Sequence, residues 1–136
     1  IKLLENSNAK VKTPKGDFYV SGIADPLSAD YSYSQALGGI EKNIPVIFLS
    51  HTPDVFREIP SEVGVTFSGH THGGQINLLG YTPFKSLLPE VGNRYMSGWL
   101  EESRAAILVS NGVGTSGAPV RLFAPPQIHL ITLKSR

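Results

Sequence analysis

The chain has 136 residues, 40% of them apolar and 17% charged, a length that fits one domain or half of a larger one. Twelve Lys and Arg against eleven Asp and Glu leave a formal charge of +1 with no basic stripe, so nucleic-acid binding has little electrostatic support. Cysteine is absent, which excludes disulfides, thiolate metal ligands and cysteine nucleophiles among these residues, and no apolar run approaches the roughly 18–20 residues that cross a bilayer.

Fourteen glycines and ten prolines punctuate the sequence, which predicts short strands and loops with few long helices. Residues 1–4 form a short apolar run. Residues 10–13 and 17–21 flank Pro14-Lys15-Gly16, a hairpin signal. The polar stretch 28–35 holds a helical turn or two before Gly38-Gly39. Residues 45–50 are continuously apolar up to Ser50 and predict a strand buried on both faces. A short helix over 54–58 follows, with Pro53 placed for its first turn, and then a strand over 63–67. Residues 80–93 read as an irregular surface excursion; its Tyr81, Phe84, Leu87 and Leu88 are candidates for an apolar substrate or membrane contact, or for simple loop packing. Strands over 94–100 and 104–110 are expected to join at 101–103. A glycine-rich loop over 111–117 and a final strand over 127–133, apolar on both faces, complete a β-rich α/β layout.

The strongest chemical signal is Gly69-His70-Thr71-His72-Gly73-Gly74. On an extended backbone, residues two apart face the same side, about 6–7 Å apart at Cα, so both imidazoles reach one small volume. Neutral imidazole nitrogens at that spacing suit a divalent transition metal; the alternative is hydrogen bonding within a tight turn. His51, at the end of the 45–50 run, gains weight from this pair, because strand–short helix–strand opens neighbouring parallel strands on one sheet edge. His129, inside the last predicted strand, is expected to be structural. Gln75 follows the pair and is a candidate substrate contact or turn residue. Asn111 begins a loop able to offer N–H groups to a phosphate, and Arg121 is a candidate phosphate or head-group partner. Asp25 and Asp54 are candidates for orienting a histidine, against an ordinary turn for Asp25 and helix first-turn charge for Asp54. Residue 1 is Ile and the single methionine is Met96, so the chain is expected to be part of a longer protein.

Leu49-Ser50-His51-Thr52-Pro53-Asp54 and Ser68-Gly69-His70-Thr71-His72-Gly73-Gly74-Gln75 resemble the C-terminal half of the calcineurin-like metallophosphoesterases. The segment from Ser110 to Thr115 and the Pro119-Val120-Arg121-Leu122-Phe123 run before Pro125-Pro126 look like the bacterial, often membrane-linked branch of predicted phosphohydrolases. The resemblance implies half of a four-layer α/β/β/α sandwich, with residues 1–136 as the C-terminal portion. It also implies a parent phosphodiesterase or phosphatase using two divalent ions (manganese, zinc or iron), His51 and His70 ligating the second ion and His72 the first.

The family's Asp-x-His, Gly-Asp-x-x-Asp and Gly-Asn-His-Asp or -Glu motifs do not occur in these residues. Without those carboxylates two dications would repel one another, so this chain alone is expected to bind at most one ion, weakly, and to hydrolyse little or nothing. A phosphate-ester substrate, a lipid or membrane link in the parent protein and self-association through an exposed sheet edge are the expected partners; a bacterial cytoplasmic and a membrane-associated location both stay open. Two alternatives remain: a non-catalytic, histidine-based metal-binding or scaffold domain, and, more weakly, a metal-dependent amidohydrolase, whose barrel is far longer than this chain, at roughly 250 residues.

Overall fold

The computed structural model describes residues 1–84, 87–102 and 105–134. Strands β1 (Ser7–Val11) and β2 (Phe18–Gly22) form the hairpin expected around Pro14-Lys15-Gly16, closed by a bond from Gly16 N to Thr13 O of 3.2 Å. The polar stretch contributes one short helix, α1 (Tyr33–Ala36), capped by the Ser32 hydroxyl, which accepts from Gln35 N. Then come β3 (Val46–Leu49), a 3-10 turn over Pro53–Glu58 with Pro53 at its start, and β4 (Val63–Ser68). β5 (Gly98–Glu101) and β6 (Ala106–Val109) are shorter than the sequence suggests. Asn93–Tyr95 turn in a 3-10 geometry instead of extending, and Ser103 and Arg104 lie outside the described residues.

These strands make one mixed sheet in the order β1-β2-β3-β4-β6-β5, antiparallel at both outer pairs and parallel at β2/β3, β3/β4 and β4/β6. This is the expected β-rich α/β class. An open mixed sheet is not the closed parallel barrel that the amidohydrolase alternative requires.

The two faces differ sharply. Ser21, Phe48, Thr66 and Ile107 lie side by side in register on one face and are all fully buried. There α1, the 3-10 turn and their flanks add Tyr33, Leu37, Ile44 and Val55, and a second cluster joins Phe56, Val91 and Tyr95 to Ile107 and Val109. An amide and a hydroxyl tie α1 down: Asn8 Nδ2 donates to Ala36 O at 2.9 Å, and Ser21 Oγ donates to the same carbonyl at 2.7 Å. Tyr33 packs on Phe48, and its hydroxyl donates to Val55 O at 2.8 Å; burial holds that hydroxyl's pKa well above its ordinary value.

On the other face Ile47, Val65 and Phe67 are only half-buried, while Leu49 is 37% and Trp99 51% exposed. The continuous apolar run of β3 is therefore buried on one face only, because every covering element lies on the same side of the sheet. The last segment departs further. Residues 127–133 pair with no strand of the described sheet, Leu130 is 96% exposed, and His129 is exposed as well. The alternating apolar pattern is real, but a strand needs a neighbour alongside to realise it.

Phe48 carries the covered face. Phe48→Ala is expected to lower unfolding free energy by about 3–5 kcal/mol, read from the urea midpoint at unchanged slope.

Candidate metal centre

Parallel strands end together. After β3, β4 and β6 the ladder continues briefly, with Ser50 N donating to Phe67 O at 3.1 Å, Gly69 N to His51 O at 3.1 Å and Ser110 N to Ser68 O at 2.9 Å. His51, His70 and Asn111 thus each sit two residues beyond adjacent strand ends, at the carboxyl edge where open α/β sheets bind ligands. His51 Nε2 and His70 Nδ1 are 3.0 Å apart, with ring planes at 68°. Two nitrogens each about 2.0–2.1 Å from one ion, in neighbouring coordination positions, lie roughly 2.9–3.4 Å apart, so the pair fits a shared metal. In the metal-free state the same distance suits one ring donating to the other.

His72 is placed differently from the extended-backbone expectation. The chain turns left-handed directly after β4: φ is +65° at His70, +49° at His72, +64° at Gly73, +79° at Gly74 and +55° at Gln75. His70 and His72 therefore do not project in parallel. The ring of His72 packs against the 111–114 loop, its Nδ1 3.2 Å from Gly114 O. Among the described residues no three His, Cys, Asp or Glu side chains are grouped as one ion site.

Such a turn costs of order 1–3 kcal/mol at each strained non-glycine residue and persists only where its surroundings over-determine it. Here each carbonyl is held from another part of the chain. Arg121 donates to His72 O at 3.1 Å, Asn77 Nδ2 to Gly73 O at 3.1 Å, Thr82 Oγ1 to Gly74 O at 2.6 Å, and Leu122 N to Gln75 O at 2.9 Å. Thr71 Oγ1 donates to Met96 O at 2.6 Å. Thr71, Asn77, Thr82 and Met96 were not marked by the sequence, and the only trace of their role is a polar or flexible residue where a packed loop needs one.

The three candidate substrate residues are all engaged internally. Gln75 is 0% exposed; its Nε2 donates to Ser116 O at 2.9 Å and Ala118 O at 3.0 Å, and its Oε1 accepts from Ser116 N at 2.6 Å. It clamps a loop. Asn111 is buried, its Nδ2 donating to Pro125 O at 3.0 Å, while its Oδ1 has no hydrogen-bond partner among the described residues and faces Gly73. Arg121 is surrounded by carbonyls. Nor does the 111–117 loop present free N–H groups throughout: those of Asn111, Gly112 and Ser116 go to Gln127 Oε1, Ser110 Oγ and Gln75 Oε1.

Asp54 accepts from Val91 N at 3.0 Å, and Asp25 closes its own turn onto Leu27 N at 3.0 Å, so the bonds of both carboxylates are structural. Leu78, Leu79, Tyr81, Leu122 and Phe123 are exposed, and Leu78, Leu79 and Phe123 line a cavity of about 520 Å³, whereas Leu87 is buried. A second cavity of about 620 Å³, lined by Tyr33, Leu37, Ile44 and Glu62 among others, lies at the amino-terminal ends of β3 and β4, away from the histidines.

This geometry accompanies clear kinship. The chain is 34% identical over 103 residues to an uncharacterized metallophosphoesterase of Aquifex aeolicus, a match covering 75% of this chain and 38% of the relative. It is 32% identical over 117 residues to the uncharacterized metallophosphoesterase YkuE of Bacillus subtilis, covering 85% and 40%. It is 30% identical over 140 residues to the UDP-2,3-diacylglucosamine pyrophosphatase LpxG of Chlamydia trachomatis, covering 96% and 40%. No family model and no solved structure matches. The chain is related over most of its length to the metallophosphoesterases, a family of phosphoester hydrolases. It spans about 40% of the length of these relatives.

Gly73 is the position the turn can least change. A Cβ there would stand 2.5 Å from Asn111 Oδ1 at φ +64°. Gly73→Ala is expected to cost about 1–3 kcal/mol. Gly64→Ala in β4, where the nearest atom is 3.9 Å away and no positive φ is needed, is expected to stay within about 0.5 kcal/mol. Thermal denaturation of both variants checks the contrast.

Proposed function

We propose that these residues form the histidine-bearing part of a metal-dependent phosphoric ester hydrolase, a phosphodiesterase or phosphatase whose complete form uses two divalent ions. The observation that carries this reading is the His51–His70 pair, 3.0 Å apart at the carboxyl edge of a parallel sheet, in a chain related to metallophosphoesterases. His51 and His70 act as neighbouring ligands of one ion, and His72 as a ligand of the other. Bound metal, whether manganese, zinc or iron, supplies charge neutralisation on the phosphoryl oxygens and activation of the attacking water. The protein's part is to hold neutral imidazoles in place with their nitrogens directed at one small volume. No carboxylate joins the histidines among the described residues, so this chain alone holds at most one ion, weakly, and is nearly inactive. The same shortage of carboxylates favours, as a second reading, a domain that binds metal through histidine without catalysis.

For substrate we propose a phosphate ester or pyrophosphate carrying an apolar group, because exposed Leu78, Leu79, Leu122 and Phe123 flank the histidine turn. LpxG, by name a pyrophosphatase of a diacylated nucleotide sugar, supports that class. The half-open face of the sheet and the exposed 127–133 segment support self-association of this chain.

Manganese-dependent hydrolysis of bis-p-nitrophenyl phosphate tests the reaction, measured on this chain and on a longer protein carrying the extra length its relatives have. Activity is expected only in the longer protein and is expected to fall on the order of 100-fold or more in His51→Ala or His70→Ala. Silence in both, with metal bound, supports the non-catalytic reading. Two ions per chain after dialysis of the 136-residue protein overturn the charge argument. Light scattering over a concentration series is expected to show a mass that rises with concentration, and a monomer throughout refutes self-association.

A further inference from the structure

Arg121 has no carboxylate partner among the described residues; their ion pairs involve Lys10 and Arg94. Its guanidinium instead lies among backbone carbonyls from three segments. Nε donates to Gly114 O at 3.0 Å. One terminal nitrogen donates to His72 O at 3.1 Å and Ala124 O at 3.0 Å. The other donates to Asn111 O at 2.8 Å and to Gly114 O, with Gly112 O more distant at 3.4 Å. A guanidinium has five N–H groups in a fixed planar fork, and these five nearest carbonyl contacts use all of them.

The count has a consequence for His72. Its Nδ1 lies 3.3 Å from that second terminal nitrogen and 3.2 Å from Gly114 O. That terminal nitrogen has two hydrogens and two closer acceptors, Asn111 O and Gly114 O, and the imidazole is the longer contact. This ordering favours Nδ1 donating to Gly114 O over Nδ1 accepting from the guanidinium. A neutral ring with its proton on Nδ1 carries its lone pair on Nε2, and a backbone carbonyl accepting from the far nitrogen is a common support for a ligating histidine.

We propose that Arg121 is a positioning residue: by gathering the Gly114 and His72 carbonyls on one fork, it holds the His72 imidazole in the Nδ1–H tautomer and leaves the unprotonated Nε2 lone pair to serve a ligand. Arg121 is thereby unavailable to a substrate phosphate unless the carbonyl cage opens. The functional consequence rests on the reading of His72 as a metal ligand; the tautomer does not. Lysine cannot replace the fork, since one ammonium has three donors radiating from a single point.

The test is long-range ¹H–¹⁵N spectroscopy of the histidine rings in the 136-residue chain, above the histidine titration range, without metal and then with added Zn²⁺. Three chains are compared: the unchanged protein, Arg121→Ala and Arg121→Lys. The unchanged protein is expected to show His72 protonated at Nδ1, with Nε2 at the downfield position of an unprotonated nitrogen. Both variants are expected to lose that pattern while His51 and His70 keep theirs. His72 protonated at Nε2 in the unchanged protein overturns the proposal, as does an Nδ1–H tautomer that survives in both folded variants. The first of these needs no variant to fold. Repeating the Zn²⁺ addition on the longer protein, where both ion sites are expected to fill, separates the two readings: a shift of His72 Nε2 supports its role as a ligand, whereas an unchanged Nε2 in the Nδ1–H ring refutes that role and leaves the positioning standing.

Discussion

The site depends on backbone carbonyls in a left-handed turn being satisfied from elsewhere. Where β4 ends, the chain leaves the sheet ladder and enters five positive-φ positions within six residues, three of them not glycine. Local bonds such as Gly74 N to Thr71 O and Gln75 N to His72 O offset part of that cost. The rest is met by Asn77, Thr82, Arg121 and Leu122, each bonded to a different carbonyl of residues 72–75. Glycine at 73 and 74 answers a second constraint, close approach. Asn111 Oδ1 and Met96 Sδ would lie within 3 Å of any added Cβ. The rigidity of the histidine-bearing edge is thus a property of how distant segments are cross-bonded, and only secondarily of the strands that lead to it.

That division explains what could be read from the sequence. Strand and turn signals are local, so the hairpin around Gly16, the strand before His51 (though not its one-sided burial), the short helix started by Pro53 and the strand before His70 are all visible in the pattern of residues. The expected parallel projection of His70 and His72 fails for a physical reason: it assumes an extended backbone two residues past the last ladder bond. Gln75, Asn111 and Arg121 were visible as unusual polar residues near glycine, yet their orientation inward instead of toward a substrate depends on carbonyl positions that no linear pattern encodes. The 127–133 segment has a strand's alternation without a strand's neighbour, and propensity alone cannot supply one.

The asymmetry of the sheet connects fold and chemistry. One face is sealed by α1 and the 3-10 turn, which fixes the strands firmly enough to hold two imidazoles 3.0 Å apart. The other keeps Leu49 and Trp99 substantially open. The histidines stand at the carboxyl edge with no carboxylate joined to them among the described residues, so charge neutralisation and cover for the open face are both absent from the same set of elements.

The cross-bonding of the turn also has a direction in time. His51, His70 and His72 are synthesised before Met96, the carbonyls of 111–118 and Arg121, which shape their surroundings and come 25 to 49 residues after the turn residues they bond. The turn after β4 therefore cannot take its finished geometry during synthesis until the chain through Arg121 and Leu122 is available to bond its carbonyls.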